Sequence, residues 1–267
     1  MFEHDVLKGQ AAFIAGGTSG INREIAAAFV QAGAQVAVLS RKQEKVEDTV
    51  EYLRGLREDA NILGFAADVR DYDGVNNAIG QTAELFGPLD IVVSGAAGLF
   101  IAPAETMSTN AFKTVIDIDL LGTFNVLRSA YDYARKPGAS FINISAPQAS
   151  APYWGQSHAC AAKAGVNMLT QSLAFEWGSH GIRVNAIVPG PIEGTEGVQK
   201  FAATPELNKI LMASVPMGRY GSTDDIAKMA IFLASDATAY MSGEIVRVDG
   251  GQVLTGGMMI DPDSLGA

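Results

Sequence analysis

Ala11-Ala12-Phe13-Ile14-Ala15-Gly16-Gly17-Thr18-Ser19-Gly20-Ile21-Asn22 decides the fold. A short apolar run suited to a strand ends in a glycine cluster, and a helical pattern follows at once. Glycine permits a tight turn and lets a ligand approach the backbone. The helix start behind it offers unpaired N–H groups and the positive end of its dipole. Such a turn accepts a pyrophosphate, so Gly16, Thr18, Ser19, Gly20 and Ile21 read as a dinucleotide-binding turn.

Glycine clusters also serve ordinary turns, so the surroundings carry the weight. Downstream, β-branched runs alternate with longer helical patterns. Strands are expected at Ala11–Ala15, Gln35–Leu39, Ile62–Ala66, Asp90–Val93, Ser140–Ile144, Arg183–Val188 and Glu244–Val248. Helices are expected at Arg23–Ala32, Lys42–Leu56, Val75–Phe86, Ala111–Arg135, Ala159–Gly178 and Thr223–Leu233. This alternation implies right-handed crossovers and an α/β fold, a doubly wound parallel sheet with helices on both faces. No linker, low-complexity stretch or repeat divides the chain, so residues 1–267 are expected to form one domain. The long region without strands, about 189–221, would form a lid over the carboxyl edge of the sheet.

The chain has 267 residues, 19 Lys+Arg against 29 Asp+Glu, and a net charge of −10. That balance argues against nucleic acid or an anionic membrane surface as a partner, and favours a small-molecule substrate. A charged fraction of 18% is low for a soluble domain and suggests broad buried interfaces. One cysteine, Cys160, excludes an internal disulfide and a cysteine-rich zinc site, and no metal is expected. The start MFEHDVLKGQ does not read as a secretory signal, and the end DSLGA is not an SKL-type address. A cytoplasmic location is the expectation.

At the end of the second strand stands Leu39-Ser40-Arg41-Lys42. A carboxylate there suits a ribose 2′-hydroxyl, whereas a guanidinium suits a 2′-phosphate. No acid follows before Glu44, so Ser40, Arg41 and Lys42 favour NADP(H). A solvated helix start is the plainer alternative for the two basic residues.

Further motifs fall in register. Ser94-Gly95-Ala96-Ala97-Gly98 follows the fourth strand, Asn185 lies in the sixth, and Pro189-Gly190-Pro191-Ile192 follows it. Lys163 and Asp249-Gly250-Gly251 complete the set. Together with the first turn, they resemble the short-chain dehydrogenase/reductase family over nearly the whole chain. The first turn departs from its TGxxxGxG pattern, with Ala15 for Thr and Asn22 for the last Gly. The resemblance implies a Rossmann-type sheet, often in a homotetramer, and cofactor contacts from Asp68, Val69, Ala96, Lys163, Pro189, Gly190 and Ile192.

The usual chemistry of this family needs a Ser, a Tyr and a Lys, with the Tyr four residues before the Lys. Here that position is Ala159, and the Ser position thirteen earlier is Ala146. Ordinary carbonyl–alcohol interconversion has lost its acid. The 2,4-dienoyl-CoA reductases are a branch of the family that lacks this tyrosine, and the chain resembles their peroxisomal type in several stretches. These are His158-Ala159-x-x-Ala162-Lys163, Asp117-Ile118-Asp119, Gly122-Thr123-Phe124-Asn125-Val126 and Gly194-Thr195-Glu196-Gly197. The resemblance implies that Asp119 holds a proton-giving water, while Lys163 serves cofactor and chemistry together.

Hydride addition to a dienoyl thioester leaves charge on the thioester oxygen, which needs hydrogen-bond donors. In the reductases an Asn supplies one; here Leu99 occupies that position. Gln148 is the replacement donor this reading nominates, with a plain loop glutamine as its alternative. His158 could be a general acid, but on a helix it lies roughly 140° from Lys163, so it reads as a helix-start or pocket-lining residue. Asp117 beside Asp119 in an apolar stretch points to a site. Phe201, Met212 and Met217 suit an apolar acyl tunnel or plain packing.

Three functions are carried forward. They are an NADPH-dependent enoyl- or dienoyl-thioester reductase, an atypical carbonyl reductase using water held by Asp119, and a silent nucleotide-binding scaffold.

Overall fold

The computed structural model describes residues 5–255. The first four residues and the DSLGA end, which the targeting expectations concern, lie outside the described residues. The seven strands are β1 (Ala11–Ala15), β2 (Gln35–Ser40), β3 (Ile62–Ala66), β4 (Ile91–Ser94), β5 (Ser140–Ile144), β6 (Arg183–Pro189) and β7 (Ile245–Val248). They form one sheet in the order β3-β2-β1-β4-β5-β6-β7, every pair parallel. The order reverses between β1 and β4, which opens a crevice at their carboxyl ends.

Strand parity explains why the sheet is covered on both sides. Ala12 and Ile14 of β1 pack into one cluster with Ile25, Phe29, Ile226 and Leu233. Ala11, Phe13 and Ala15 pack into the other, with Ile79, Leu127 and Trp177. The first cluster belongs to α1 (Gly20–Gln31) and α9 (Thr223–Ala234), which pack on each other. The second belongs to α3 (Tyr72–Phe86), α5 (Gly122–Tyr133) and α6 (Ser157–Trp177). The helix α2 (Gln43–Arg54) flanks β2 and β3.

The expected single helix Ala111–Arg135 is three pieces. The helix α4 (Thr109–Val115) runs into a π-helical segment, Ile116–Leu121, and then into α5. Gly122 N–H bonds the Asp117 carbonyl five residues back, the signature of the wider turn. The region 189–221 holds α7 (Glu196–Phe201), α8 (Pro205–Ala213) and a bridge between Ile192 and Gly221. Among the described residues, no helix is long and apolar enough to cross a membrane.

Candidate active site

The first turn is closed by backbone and kept open to the crevice. Gly16 has φ of 78° and its N–H bonds Leu39 O at 2.8 Å. A Cβ on Gly16 would stand 2.8 Å from Ala96 N, so the ends of β1 and β4 press together here. A Cβ on Gly17 would meet Val38 at 2.9 Å. At the start of α1, Ser19 makes no side-chain cap and the first turn carries no acid. Thr18 is buried, while Ser19 and Gly20 are exposed to the crevice side with only Thr195 near Gly20. An uncapped helix start behind a cradle that no side chain fills fits a dinucleotide pyrophosphate.

Asn22 needs room, and its side chain lies against Gly95 at the end of β4. Its Nδ2 donates to Gly95 O at 2.8 Å, and a Cβ on Gly95 would strike this amide at 2.3 Å. The side chain ties α1 to the end of β4.

The β2–β3 end of the crevice is lined by charge. Ser40 closes β2, and Arg41 and Lys42 are exposed beyond it. Asp68 accepts from Arg70 Nε at 3.0 Å and from its terminal nitrogen at 2.7 Å. The Arg70 guanidinium, with Arg41 adding its charge, holds the Asp68 carboxyl below the usual carboxylate range. Val69 is buried, and its carbonyl is pinned by Asn125 Nδ2 at 2.9 Å.

At the opposite end, Pro189 and Ile192 are buried and Gly190 lies against Asp249, where a Cβ would stand 2.6 Å from Asp249 Cα.

Asp119 and Lys163 meet between these ends. The π segment turns Asp119 inward, and Lys163 reaches it from α6. Asp119 Oδ2 stands 3.4 Å from Lys163 Nζ, with side-chain exposures of 2% and 8%. Asp119 Oδ1 accepts the Gly98 N–H at 2.7 Å, and Lys163 Nζ donates to the Ile144 carbonyl at 3.0 Å. Two opposite charges taken out of water hold together only with such further bonds. Asp117 takes no part. It pairs with Lys113, one turn back on the outer face, so the expectation that both acids mark the site fails for Asp117.

Ala159 is buried four residues before Lys163, and Ala146 sits half-buried at the end of β5. Tyr153, in the loop before α6, has a phenol that burial pushes up to about 12, with the charge of Asp249 adding to the shift. It is a poor proton donor at neutral pH. Gln148 lies in the short turn Pro147–Ala149, and its Nε2 donates to Gln156 Oε1 at 2.9 Å. Its own Oε1 is buried without a partner among the described residues. Its amide therefore already has one partner before any ligand arrives.

Above the site, Lys200 of α7 donates to the Leu99 carbonyl at 2.9 Å and pairs with Glu196. Phe201 and Met212 are half-buried, while Met217 is 64% exposed. The Gly98 N–H, the Ile144 carbonyl and the Lys200–Leu99 contact escaped sequence reasoning. Two are backbone groups, which carry no residue signal. No group of three or more His, Cys, Asp or Glu able to hold a metal occurs among the described residues.

The chain is similar to known proteins over most of its length. A family model described as Enoyl-(Acyl carrier protein) reductase matches residues 15–252. A peroxisomal 2,4-dienoyl-CoA reductase [(3E)-enoyl-CoA-producing] of Arabidopsis thaliana is 42% identical over 260 residues, covering 94% of this chain and 86% of the relative. A probable 2,4-dienoyl-CoA reductase [(2E)-enoyl-CoA-producing] of Bacillus subtilis is 39% identical, covering 92% and 97%. A short-chain type dehydrogenase/reductase from Mycobacterium ulcerans superposes with a TM-score of 0.88 at 32% identity, covering 92% of this chain and 90% of that one.

Proposed function

Because this chain is an oxidoreductase of the short-chain dehydrogenase/reductase family and binds a nicotinamide cofactor, we propose that it reduces a conjugated dienoyl thioester, carried by coenzyme A, with NADPH. The observation that carries the reading is the buried Asp119–Lys163 pair beside Ala146 and Ala159. A carbonyl reductase needs a hydroxyl acid at the last two positions. A dienoyl thioester does not, because no alkoxide forms on it.

When bound, the cofactor supplies a hydride. Around it this chain divides the remaining work. Lys163 holds the nicotinamide ribose and adds positive potential beside the ring. Asp119, fixed by Gly98 N–H, orients the water that protonates a carbon of the reduced acyl chain. Gln148 donates to the thioester oxygen with the amide hydrogen that Gln156 leaves free. Gly16, Thr18, Ser19, Gly20, Ile21, Ala96, Pro189, Gly190 and Ile192 hold the pyrophosphate and nicotinamide, and Asp68 with Val69 the adenine. Ser40, Arg41 and Lys42 take the 2′-phosphate. The region 189–221 acts as the lid, latched by Lys200. Exposed Leu121 and Phe124 on one side, with Met168 and Phe175 on α6, support assembly as a homotetramer.

The test is NADPH oxidation against hexadienoyl-CoA, a saturated-chain enoyl-CoA and simple ketones, repeated with NADH. Turnover of the dienoyl thioester far above the others is the expected result. Preferential ketone turnover would establish the carbonyl reductase. No turnover with intact cofactor binding would leave a scaffold.

A further inference from the structure

We infer that Gln156 is a positioning residue, the group that aims the Gln148 amide at the thioester oxygen. The chemical consequence deepens the dienoyl-thioester reading and rests on it; the contact between the two glutamines does not.

Gln156 stands at the N-cap of α6 and is 3% exposed. That position favours a short Ser, Thr, Asp or Asn side chain that accepts from the first helical turn. Gln156 makes no such cap among the described residues. Its side chain turns to Gln148 instead, and its Oε1 accepts from Gln148 Nε2 at 2.9 Å. Burying a long polar side chain costs rotamer freedom and hydration, and this bond offsets both. Capping does not explain the residue; the bond to Gln148 does.

Gln148 needs that partner. The last torsion of a glutamine is broad, so the side chain alone does not decide where its amide plane points. Gln148 Oε1 is buried without a partner among the described residues, which leaves the plane held at its nitrogen end. Nε2 carries two hydrogens at a fixed angle. Once Gln156 takes one, the direction of the other is set. An amide left free to turn would present its carbonyl oxygen, which repels a thioester oxygen, as readily as its nitrogen.

The backbone fixes Gln156 in turn. Its N–H bonds the Tyr153 carbonyl at 3.2 Å, and its own carbonyl accepts the Cys160 N–H at 2.8 Å. Ala159 and Lys163 follow three and seven residues later, and seven residues bring a helix to within about 20° of two full turns. Gln156 therefore heads the α6 face that carries Lys163. Beside it, Gly155 O accepts the Ala102 N–H at 2.9 Å, and a Cβ on Gly155 would stand 2.8 Å from Ile101. The loop bound here is the one that carries Leu99, whose side chain has no donor to offer. The glutamine pair lies where that loop meets the start of α6.

The experiment is a double-variant cycle of Gln148→Met, Gln156→Met and both together, with kcat and KM on hexadienoyl-CoA, NADPH affinity and melting temperature measured on each. Removing an oxyanion donor typically costs ~10²–10³ in kcat, so Gln148→Met should lose about 10²-fold. Gln156→Met keeps the donor and loses its aim, and kcat should fall at least about tenfold with KM and NADPH affinity little changed. The double variant should match Gln148→Met within about twofold, because one residue acts through the other. Wild-type kcat in either single variant would overturn the inference. So would losses that multiply in the double variant, the outcome of a merely structural Gln156. Nitrogen-15 spectra of the Gln148 side-chain amide, in wild type and Gln156→Met without substrate, give a reading independent of turnover, and an unchanged amide signal would also overturn it. If the wild type fails to reduce the thioester while that signal responds, the substrate reading falls and the Gln156–Gln148 relationship stands.

Discussion

The Asp119 carboxylate and the Lys163 ammonium stand 3.4 Å apart with almost no contact with water, each holding one backbone group besides the other. The pair joins two elements, the π segment and α6, that pack on each other. Removing either strands the other.

Lys163→Met should therefore lose stability as well as cofactor affinity and turnover. An uncompensated buried charge typically costs about 3–5 kcal/mol. In the double variant Lys163→Met/Asp119→Leu, much of the stability should return while activity does not. Thermal unfolding and NADPH titration of the wild type, both single variants and the double variant measure this coupling. Additive losses would mean that the two charges do not depend on each other.

Asp119→Asn keeps an oxygen to accept the Gly98 N–H, whereas Asp119→Ala loses that bond too. Turnover should fall at least tens-fold in the Ala variant, within the ~10²–10⁴-fold typical of acid–base participation, and less in the Asn variant. NADPH affinity should change little in both. Steady-state kinetics with a cofactor titration on the same preparations separates the outcomes.

Arg41→Ala should weaken NADPH binding by roughly tenfold or more, in line with the ~1.5–3 kcal/mol of a hydrogen bond to a charged group. NADH binding should be nearly unaffected, since only the 2′-phosphate distinguishes the two. Equal wild-type affinities for both cofactors would remove the assignment before any variant is made.

Gly16→Ala places a Cβ 2.8 Å from Ala96 N at a φ of 78°. Both the contact and the backbone conformation penalise it, by ~1–3 kcal/mol for the conformation alone. The variant should melt lower and bind cofactor far more weakly, as calorimetry and fluorescence titration would read.

His158 gives stability a pH dependence of definite sign. Burial lowers its pKa below the ordinary 6.5, so the unfolded chain binds the proton more readily than the folded one. Its contribution is fully present above pH ~6.5 and is lost as pH falls from there toward the folded value. The wild-type melting temperature should drop between pH 7 and pH 5, and His158→Phe should flatten that slope.

Much of this was legible in the sequence because it depends on pattern. β-Branched runs and helical periodicity located all seven strands to within a residue at each end, since both faces of the sheet are buried. Lys163 and Asp119 stood out as charges in apolar stretches, and the structure brings them together. Asp117 looked alike and is an outward partner of Lys113, because an acid in an apolar stretch does not reveal the direction its side chain takes. Asn22 was legible as an intruder in the glycine turn, but its bond to Gly95 depends on a strand more than seventy residues away. The π segment has the same hydrophobic residues as an ordinary helix, and one extra residue in a turn leaves no compositional trace.

That extra residue sets a rule for how this protein can change. An α-helix advances about 100° per residue, so deleting any one position in 116–121 would let the segment relax to regular winding. Everything after the deletion would rotate against what precedes it. Asp119 could then not face both Gly98 and Lys163 while Val115 and Val126 kept their places in the core. Length, more than identity, is the constrained quantity in this stretch: many substitutions fit within it, but losing a single residue would dismantle the site while leaving the sheet whole.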